Sequence, residues 1–342
     1  MRRDNQFQHL PGKFLSDYLP SQRRFSTNTI ASYCDTFRLF ISYMKAAKDI
    51  DPNQIKFKDA DRRTVESFLK WLEDERKSSA STVNQRLAAI HSFYKYVQGE
   101  EPQLISLCQQ VLNIPNRKSP ARFVSYLYKE DLELILKQPD TSTRKGRRDL
   151  TLLCVLYDTG GRVQEIADLT IGAVRLQAPA QVTLLGKGNK KRVVPLMDQT
   201  ATLISNYMKE NHLLQGGQMN EHPVFFNQRN EALSRSGIGY ILQKYVAAAR
   251  TEQPTIPEKV TPHILRHSKA MHLLEAGVNI VYIRDILGHV NIATTGIYAR
   301  SNLEMKKKAL EKVAIVPDTS DVPFWTEDKD LLSWLEGYGK SL

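Results

Sequence analysis

Two prolines within eight residues, in Asn113-Ile-Pro-Asn-Arg-Lys-Ser-Pro120, cut the chain into parts with different apolar patterns. Proline fixes its own φ and has no N–H to donate. It also pushes the residue before it out of the helical region, so a regular helix or inner strand does not run through two of them. The stretch has no apolar period of its own and reads as an exposed linker between two domains. A chain of 342 residues is long enough for two cores. The boundaries expected are a first domain over 1–114, a linker over 115–123, a second domain over 124–316 and a tail over 317–342.

Before the linker the pattern is helical. Ile30, Tyr33, Phe37, Phe40, Ile41 and Met44 fall on one stripe between Thr27 and Met44. A second helix after Asp61 presents Val65, Phe68, Leu69 and Leu72. A third, capped by Ser79 or Ser81, presents Val83, Leu87, Ile90 and Phe93, and a fourth runs near Leu104 to Leu112. Four such helices make a compact bundle. Arg62, Arg63, Arg86 and Lys95 lie on its polar faces. After the linker the types mix. Helices are expected over Lys129–Lys137, Arg144–Tyr157, Val163–Leu169 and Thr202–Asn211. Strands are expected at Ala173–Leu176, Val182–Leu185, Arg192–Leu196 and Val224–Phe226, and helix again to about Val313. The fold class is mainly α with a small antiparallel sheet.

No run approaches the roughly 18 apolar residues that a spanning helix needs. The N-terminus, MRRDNQFQHLPGKF, is basic without the apolar run of a secretion signal. A cytoplasmic protein with no membrane partner is expected. Cys34, Cys108 and Cys154 are odd in number and far apart, which argues against a disulfide framework and a cysteine-rich zinc site. They read as small core residues. The net charge of +11 points to a polyanion, nucleic acid before membrane. Residues 1–120 hold 19 Lys and Arg against 13 Asp and Glu, and the segment up to 314 is basic as well. The last 28 residues hold six acids against two lysines. Two basic parts and an acidic end suit a protein that grips a duplex from two sides, with Arg117 and Lys118 of the linker crossing a backbone.

Four local patterns carry chemistry. In Asp158-Thr-Gly-Gly-Arg162-Val-Gln-Glu165 an arginine follows a glycine turn and starts a helix, where anions bind and a guanidinium adds a planar fork for phosphate. In Gly186-Lys187-Gly-Asn-Lys190-Lys191-Arg192 a hairpin tip carries four cations that can reach a groove or a phosphate. In His263-Ile-Leu-Arg266-His267 the i, i+3 pair His263 and Arg266 shares a helix face. One of that pair can bind a phosphate while the other moves a proton. In Leu287-Gly288-His289, Gly288 can end a helix in the left-handed conformation and present His289 from the turn, with Tyr298 nine residues on. A zinc site from His263, His267 and His289 is the competing reading. It lacks the glutamate of the metalloprotease helix and any nearby cysteine.

The order of these patterns resembles the tyrosine recombinase (phage integrase) family, over about residues 8 to 315. The resemblance rests on Thr-Gly-Gly-Arg-Val-Gln-Glu, Gly-Lys-Gly-Asn-Lys-Lys-Arg-Val-Val-Pro-Leu, His-Ile-Leu-Arg-His-Ser-Lys-Ala-Met-His-Leu-Leu-Glu-Ala-Gly and Ile-Leu-Gly-His-Val-Asn-Ile-Ala-Thr-Thr-Gly-Ile-Tyr. Two departures stand out: Ser268-Lys269-Ala270 replaces a Thr-Phe-Ala-like sequence, and Gly161 replaces an apolar residue before Arg162. The resemblance implies a SAM-like, DNA-binding core-binding domain of four helices, followed by an α+β catalytic domain. It implies site-specific recombination of double-stranded DNA through a 3′-phosphotyrosine, with no cofactor and no metal. Tyr298 would be the nucleophile and His263 the proton acceptor. Arg162 and Arg266 would clamp the phosphate, Lys187 would be the general acid and His289 a further donor, with Glu165 orienting the site. Arg86, Arg117, Lys118, Lys190, Lys191 and Arg192 would contact DNA.

The expected assembly is a homo-oligomer, a tetramer of paired protomers on two sites, or one shared with related recombinase subunits. The length after Tyr298 favours a mobile-element integrase over a chromosome or plasmid dimer resolvase of the Xer type. A type IB topoisomerase-like enzyme and a non-catalytic DNA-binding protein on the same fold are the alternatives. In the tail, Leu331, Trp334 and Leu335 share a helical face, for packing on the chain's own domain or on a neighbouring protomer.

Overall fold

The computed structural model describes residues 6–118, 125–186, 188–214 and 220–288. The expectations for Lys187, His289, Tyr298 and the tail therefore lie outside the described residues. The chain divides into two compact units, Met1–Arg122 and Phe123–Leu342. Among the described residues the fold is mainly helical, with one three-stranded antiparallel sheet.

In the first unit four helices follow the apolar stripes: α2 (Thr27–Lys48), α3 (Arg62–Asp74), α4 (Ala80–Glu100) and α5 (Ile105–Leu112). Three starts are fixed by side-chain caps. Ser26, Asp61 and Ser79 each accept the N–H three residues on. Each such cap is worth about 1 kcal/mol. The core takes Phe37, Phe40 and Met44 from α2, Val65, Phe68, Leu69 and Leu72 from α3, and Val83, Leu87, Ile90 and Phe93 from α4. Ile30, Tyr33 and Ile41 only border it.

The N-terminal segment adds what the apolar period did not show. A helical turn, α1 (Leu10–Lys13), runs into a π-helical stretch, Phe14–Gln22. Phe14 and Leu19 are fully buried, and the Phe14 ring meets Phe93 edge-on at 5.4 Å between centroids. Pro11, Gly12 and Pro20 hide this segment from a helical reading, because each is a poor helix former. One cysteine also departs from expectation. Cys108 is buried and Cys154 half-buried, but Cys34 is exposed, because it lies off the stripe that α2 turns to the core.

The second unit begins with α6 (Lys129–Lys137), α7 (Arg144–Thr159) and α8 (Val163–Ala167). The sheet follows in the order β1 (Val174–Arg175), β2 (Gln181–Leu185), β3 (Lys191–Pro195). Then come α9 (Asp198–Glu210), α10 (Arg235–Glu252), α11 (Pro262–Glu275) and α12 (Ile280–Leu287). Helix α7 is central: Leu152, Leu153, Val155 and Leu156 are all buried, packed in one cluster with Ile238, Leu242 and Val246 of α10. Asp149 of α7 is buried with them. It accepts from Arg148 at 2.7 Å and from the Tyr245 hydroxyl of α10 at 2.9 Å, so its charge is paired and both its oxygens are used.

The strand expected at Val224–Phe226 is not formed. Val224 and Phe225 are buried, but pairing there is limited to single bridges, Thr170 with Pro223 and Phe226 with Ala232. A short apolar run needs only burial, and a loop pinned across the core supplies it. In the sheet, Val182 faces Val194 and Leu184 faces Arg192. Val182, Leu184 and Val194 are buried, so the strand face carrying Arg192 is the inner one.

Candidate active site

The site is built on the C-terminal turn of α12. The last carbonyls of a helix have no partner within it. Here three consecutive ones are each taken by a different arginine. Arg192 of β3 donates Nε to Ile286 O at 2.9 Å. Arg266 of α11 donates Nη2 to Leu287 O at 2.6 Å. Arg162, at the start of α8, donates Nη2 to Gly288 O at 3.3 Å. The negative end of the helix dipole favours cations here, by about 0.3–1 kcal/mol at an exposed end and up to about 2 where partly buried.

Glycines let the parts approach. Gly288 ends α12 in the left-handed conformation, φ +66°, as its sequence position predicts. A Cβ on Gly288 would lie 2.9 Å from Arg192 Cδ and Nη1. Gly160 ends α7 at φ +56°, and a Cβ there would meet Leu287 Cδ2 at 2.8 Å. Gly161, one of the two departures from the family pattern, has its own reason: the Ile166 side chain fills the space its Cβ would take, at 2.8 Å.

Arg266 is 1% exposed, and its Nη1 also donates to Gly160 O at 2.8 Å. A buried guanidinium thus holds together the ends of α7 and α12. Glu165 is the complementary anion. Its Oε2 accepts the Arg162 main-chain N–H at 2.8 Å and Arg192 Nη2 at 2.6 Å. Its Oε1 accepts Arg162 Nη1 and Arg192 Nη1, both at 2.9 Å. Burial alone would raise the Glu165 carboxyl, but the two arginines outweigh it and hold it below the usual carboxylate range. The two guanidiniums are placed differently: the Arg192 side chain is 12% exposed and that of Arg162 is 40% exposed.

His263 sits one turn before Arg266, on the exposed side of α11. Desolvation, then Arg266 and Arg162, lower its pKa, so the imidazole is neutral at pH 7 and able to accept a proton. His267 meets it edge-on at 4.2 Å between centroids. Its pKa is pushed down to about 4 by burial, then by His263 and Arg266. The Ser268-Lys269 departure is turned inward. Ser268 accepts the Leu127 N–H at 2.8 Å, and Lys269 pairs with the buried Asp158 at 3.2 Å. Asp158 also accepts the Met197 N–H at 3.0 Å. Sequence reading gave no role to Asp158 or to the inner side of β3.

The hairpin between β2 and β3 lies beside this site. Gly188 and Asn189 at its tip both have positive φ, conformations that glycine and asparagine tolerate best. Gly186 donates its N–H to Lys190 O at 2.8 Å, and a Cβ on it would lie 3.3 Å from Glu165 Oε1. Lys190 and Lys191 are exposed, as is Lys118.

Three of the cations expected at DNA are half-buried and have partners within the chain. Arg192 is on Glu165 and Ile286 O. Arg86 donates to Ser32 O at 2.9 Å and Thr36 Oγ1 at 3.1 Å. Arg117 is held in the first unit by Asn84, which binds both its N–H and its carbonyl, and by Glu73 at 3.0 Å. Charge in a sequence does not tell which way a guanidinium turns. Among the described residues, no cluster of three or more His, Cys, Asp or Glu is placed to hold a metal.

The chain is similar to known proteins in sequence and in fold. The Phage integrase family profile matches residues 125–305, and the Phage integrase, N-terminal SAM-like domain matches residues 13–101. A putative integrase/recombinase y4rC of Sinorhizobium fredii is 35% identical over 94% of this chain and 95% of its own. The tyrosine recombinase XerD of Listeria monocytogenes is 32% identical over 82% of this chain and 90% of its own. Among solved structures, XerH site-specific recombinase bound to its palindromic difH substrate has a TM-score of 0.69 at 21% identity, over 84% of this chain and 81% of that one. The chain belongs to the phage integrase, or tyrosine recombinase, family and is a tyrosine-type site-specific recombinase.

His267 gives the site a pH signature. Its folded pKa lies below the ordinary 6.5, so the folded state binds fewer protons than the unfolded one. Its contribution to stability is complete above pH 6.5 and declines as pH falls toward 4. The melting temperature should therefore drop between pH 6.5 and 4, and His267→Gln should flatten that drop. Equal pH slopes for both proteins in thermal melts would show that His267 is not buried neutral.

Proposed function

We propose that this recombinase breaks and rejoins double-stranded DNA with the machinery implied by its motifs, and that it moves a mobile element. The observation that carries the reading is the gathering of Arg162, Arg192 and Arg266 at one helix end beside a neutral His263. Tyr298 Oη attacks the scissile phosphorus, and the P–O bond to the 5′-oxygen breaks. The tyrosine proton goes to His263, since a free phenol with a pKa of about 10 needs an acceptor at neutral pH. Lys187 protonates the departing 5′-oxygen. Arg162 and Arg266 hold the nonbridging oxygens, where negative charge grows in the transition state, with His289 as a further donor. Glu165 sets the orientation of Arg162. The phosphotyrosine keeps the energy of the phosphodiester, so rejoining needs neither nucleotide nor metal.

The two units are proposed as the two domains of a DNA grip, divided by the linker over 115–123. Among the described residues of the expected set, Lys118, Lys190 and Lys191 are exposed and can reach phosphates. The working form is a tetramer on two sites in the cytoplasm. The solved relative's contact with a difH substrate supports DNA as the partner here. The relative named as an integrase/recombinase, aligned over nearly the whole chain, supports the mobile-element role. XerD similarity supports the second reading, dimer resolution.

Two experiments test these assignments. A substrate with a 5′-bridging phosphorothiolate should restore cleavage to Lys187→Ala, because sulfur leaves without a proton. It should not restore cleavage to Arg162→Ala. Rescue of both variants, or of neither, would overturn the Lys187 role. Mapping covalent cleavage on the DNA flanking the protein's own gene should place the cuts at the ends of an element that contains it. Cuts only at a chromosomal site outside any element would assign dimer resolution instead.

A further inference from the structure

Glu165 is an anion set behind a site that must hold another anion. Were Arg162 its only partner, the pair would be neutral, and the carboxylate would compete with a phosphate for the same guanidinium. The structure divides the labour between two arginines. Arg192 takes both Glu165 oxygens, at 2.9 and 2.6 Å, and its side chain is nearly buried. Its Nε is spent on Ile286 O. Arg162 gives Glu165 one Nη1 contact and its main-chain N–H, and its side chain stays 40% exposed.

We propose that Arg192 is a positioning residue for recombination: by neutralising Glu165 it leaves the charge of Arg162 for the scissile phosphate. The three groups together carry one net positive charge, and it sits on the exposed member. The position of Arg192 on the strand fits this role. It shares the inner face of β3 with the buried Val194, and it crosses to α12 where Gly288 has no Cβ to obstruct it. A basic hairpin residue is thereby recruited to the phosphate site and not to the outer DNA surface. The proposal rests on the recombinase chemistry given above.

The test is the rate of covalent adduct formation on a suicide substrate, with single-site binding measured beside it. Arg192→Gln leaves Arg162 and Glu165 neutral as a pair and should slow adduct formation at least tenfold, with binding within a few fold of wild type. The double variant Glu165→Gln with Arg192→Gln restores one net positive charge and should regain at least half of the logarithmic loss. A purely structural role for Arg192 predicts no such recovery, because the contact to Ile286 O stays broken. Arg192→Lys, which keeps the charge, should retain at least a tenth of the wild-type rate and serves where Arg192→Gln does not fold. The proposal is overturned if Arg192→Gln cleaves within threefold of wild type, if the double variant is no faster than Arg192→Gln, or if folded Arg192→Lys falls below a tenth. An absence of adducts with wild-type protein would instead refute the phosphotyrosine reading itself.

Discussion

Three unsatisfied carbonyls at the end of α12 organise the second unit. A carbonyl buried without a donor costs about 1–3 kcal/mol. Guanidiniums from β3, α11 and α8 satisfy them in order, at Ile286, Leu287 and Gly288. The dependence runs both ways. A buried arginine is tolerable only where its charge and donors are met. Arg266 meets carbonyls at the ends of two helices, and Arg192 meets Glu165 and one carbonyl. Removing Glu165 would leave Arg192 buried without its counter-ion, and breaking a buried pair from one side costs about 3–5 kcal/mol. The positive site and the packing of α7, α11, α12 and β3 are thus one set of interactions.

This has a chemical consequence. Transition-state stabilisation by charge is effective when the charges are already in place and do not reorganise during reaction. Arg266 is fixed in place, since each terminal nitrogen gives one of its two hydrogens to a core carbonyl. His263 stands one turn away from it, and its pKa is lowered first by desolvation and then by the charge of Arg266 and Arg162. The fixed charges that would hold a phosphate thus add to desolvation in disfavouring the protonated imidazole.

Much of this was legible in the sequence, for local reasons. Side-chain caps at Ser26, Asp61 and Ser79 are written into short stretches, and the helix starts follow from them. The left-handed end of α12 at Gly288 and the arginine start of α8 are also local. What escaped depends on long-range placement. The N-terminal Phe14 packs on Phe93 through a proline-interrupted segment whose local propensity opposes helix. Val224 and Phe225 look like strand because burial is all that an apolar run reports. The intramolecular partners of Arg86, Arg117 and Arg192 come from other elements, up to 94 residues away for Arg192 and Ile286, so no local pattern shows them. One signal was present for Arg192. It lies two residues from Val194 on a strand, so the inward face of one predicts the inward face of the other.

The most direct test of the account is the chemistry of the protein–DNA bond. The adduct trapped on a nicked substrate can be digested with protease, and the peptide left on the DNA identified by mass spectrometry. Labelling of the DNA ends then gives the polarity of attachment. The expected result is a peptide that contains Tyr298, joined to a 3′-phosphate, with a free 5′-hydroxyl on the other strand end. Attachment through another residue, or to a 5′-phosphate, would contradict it.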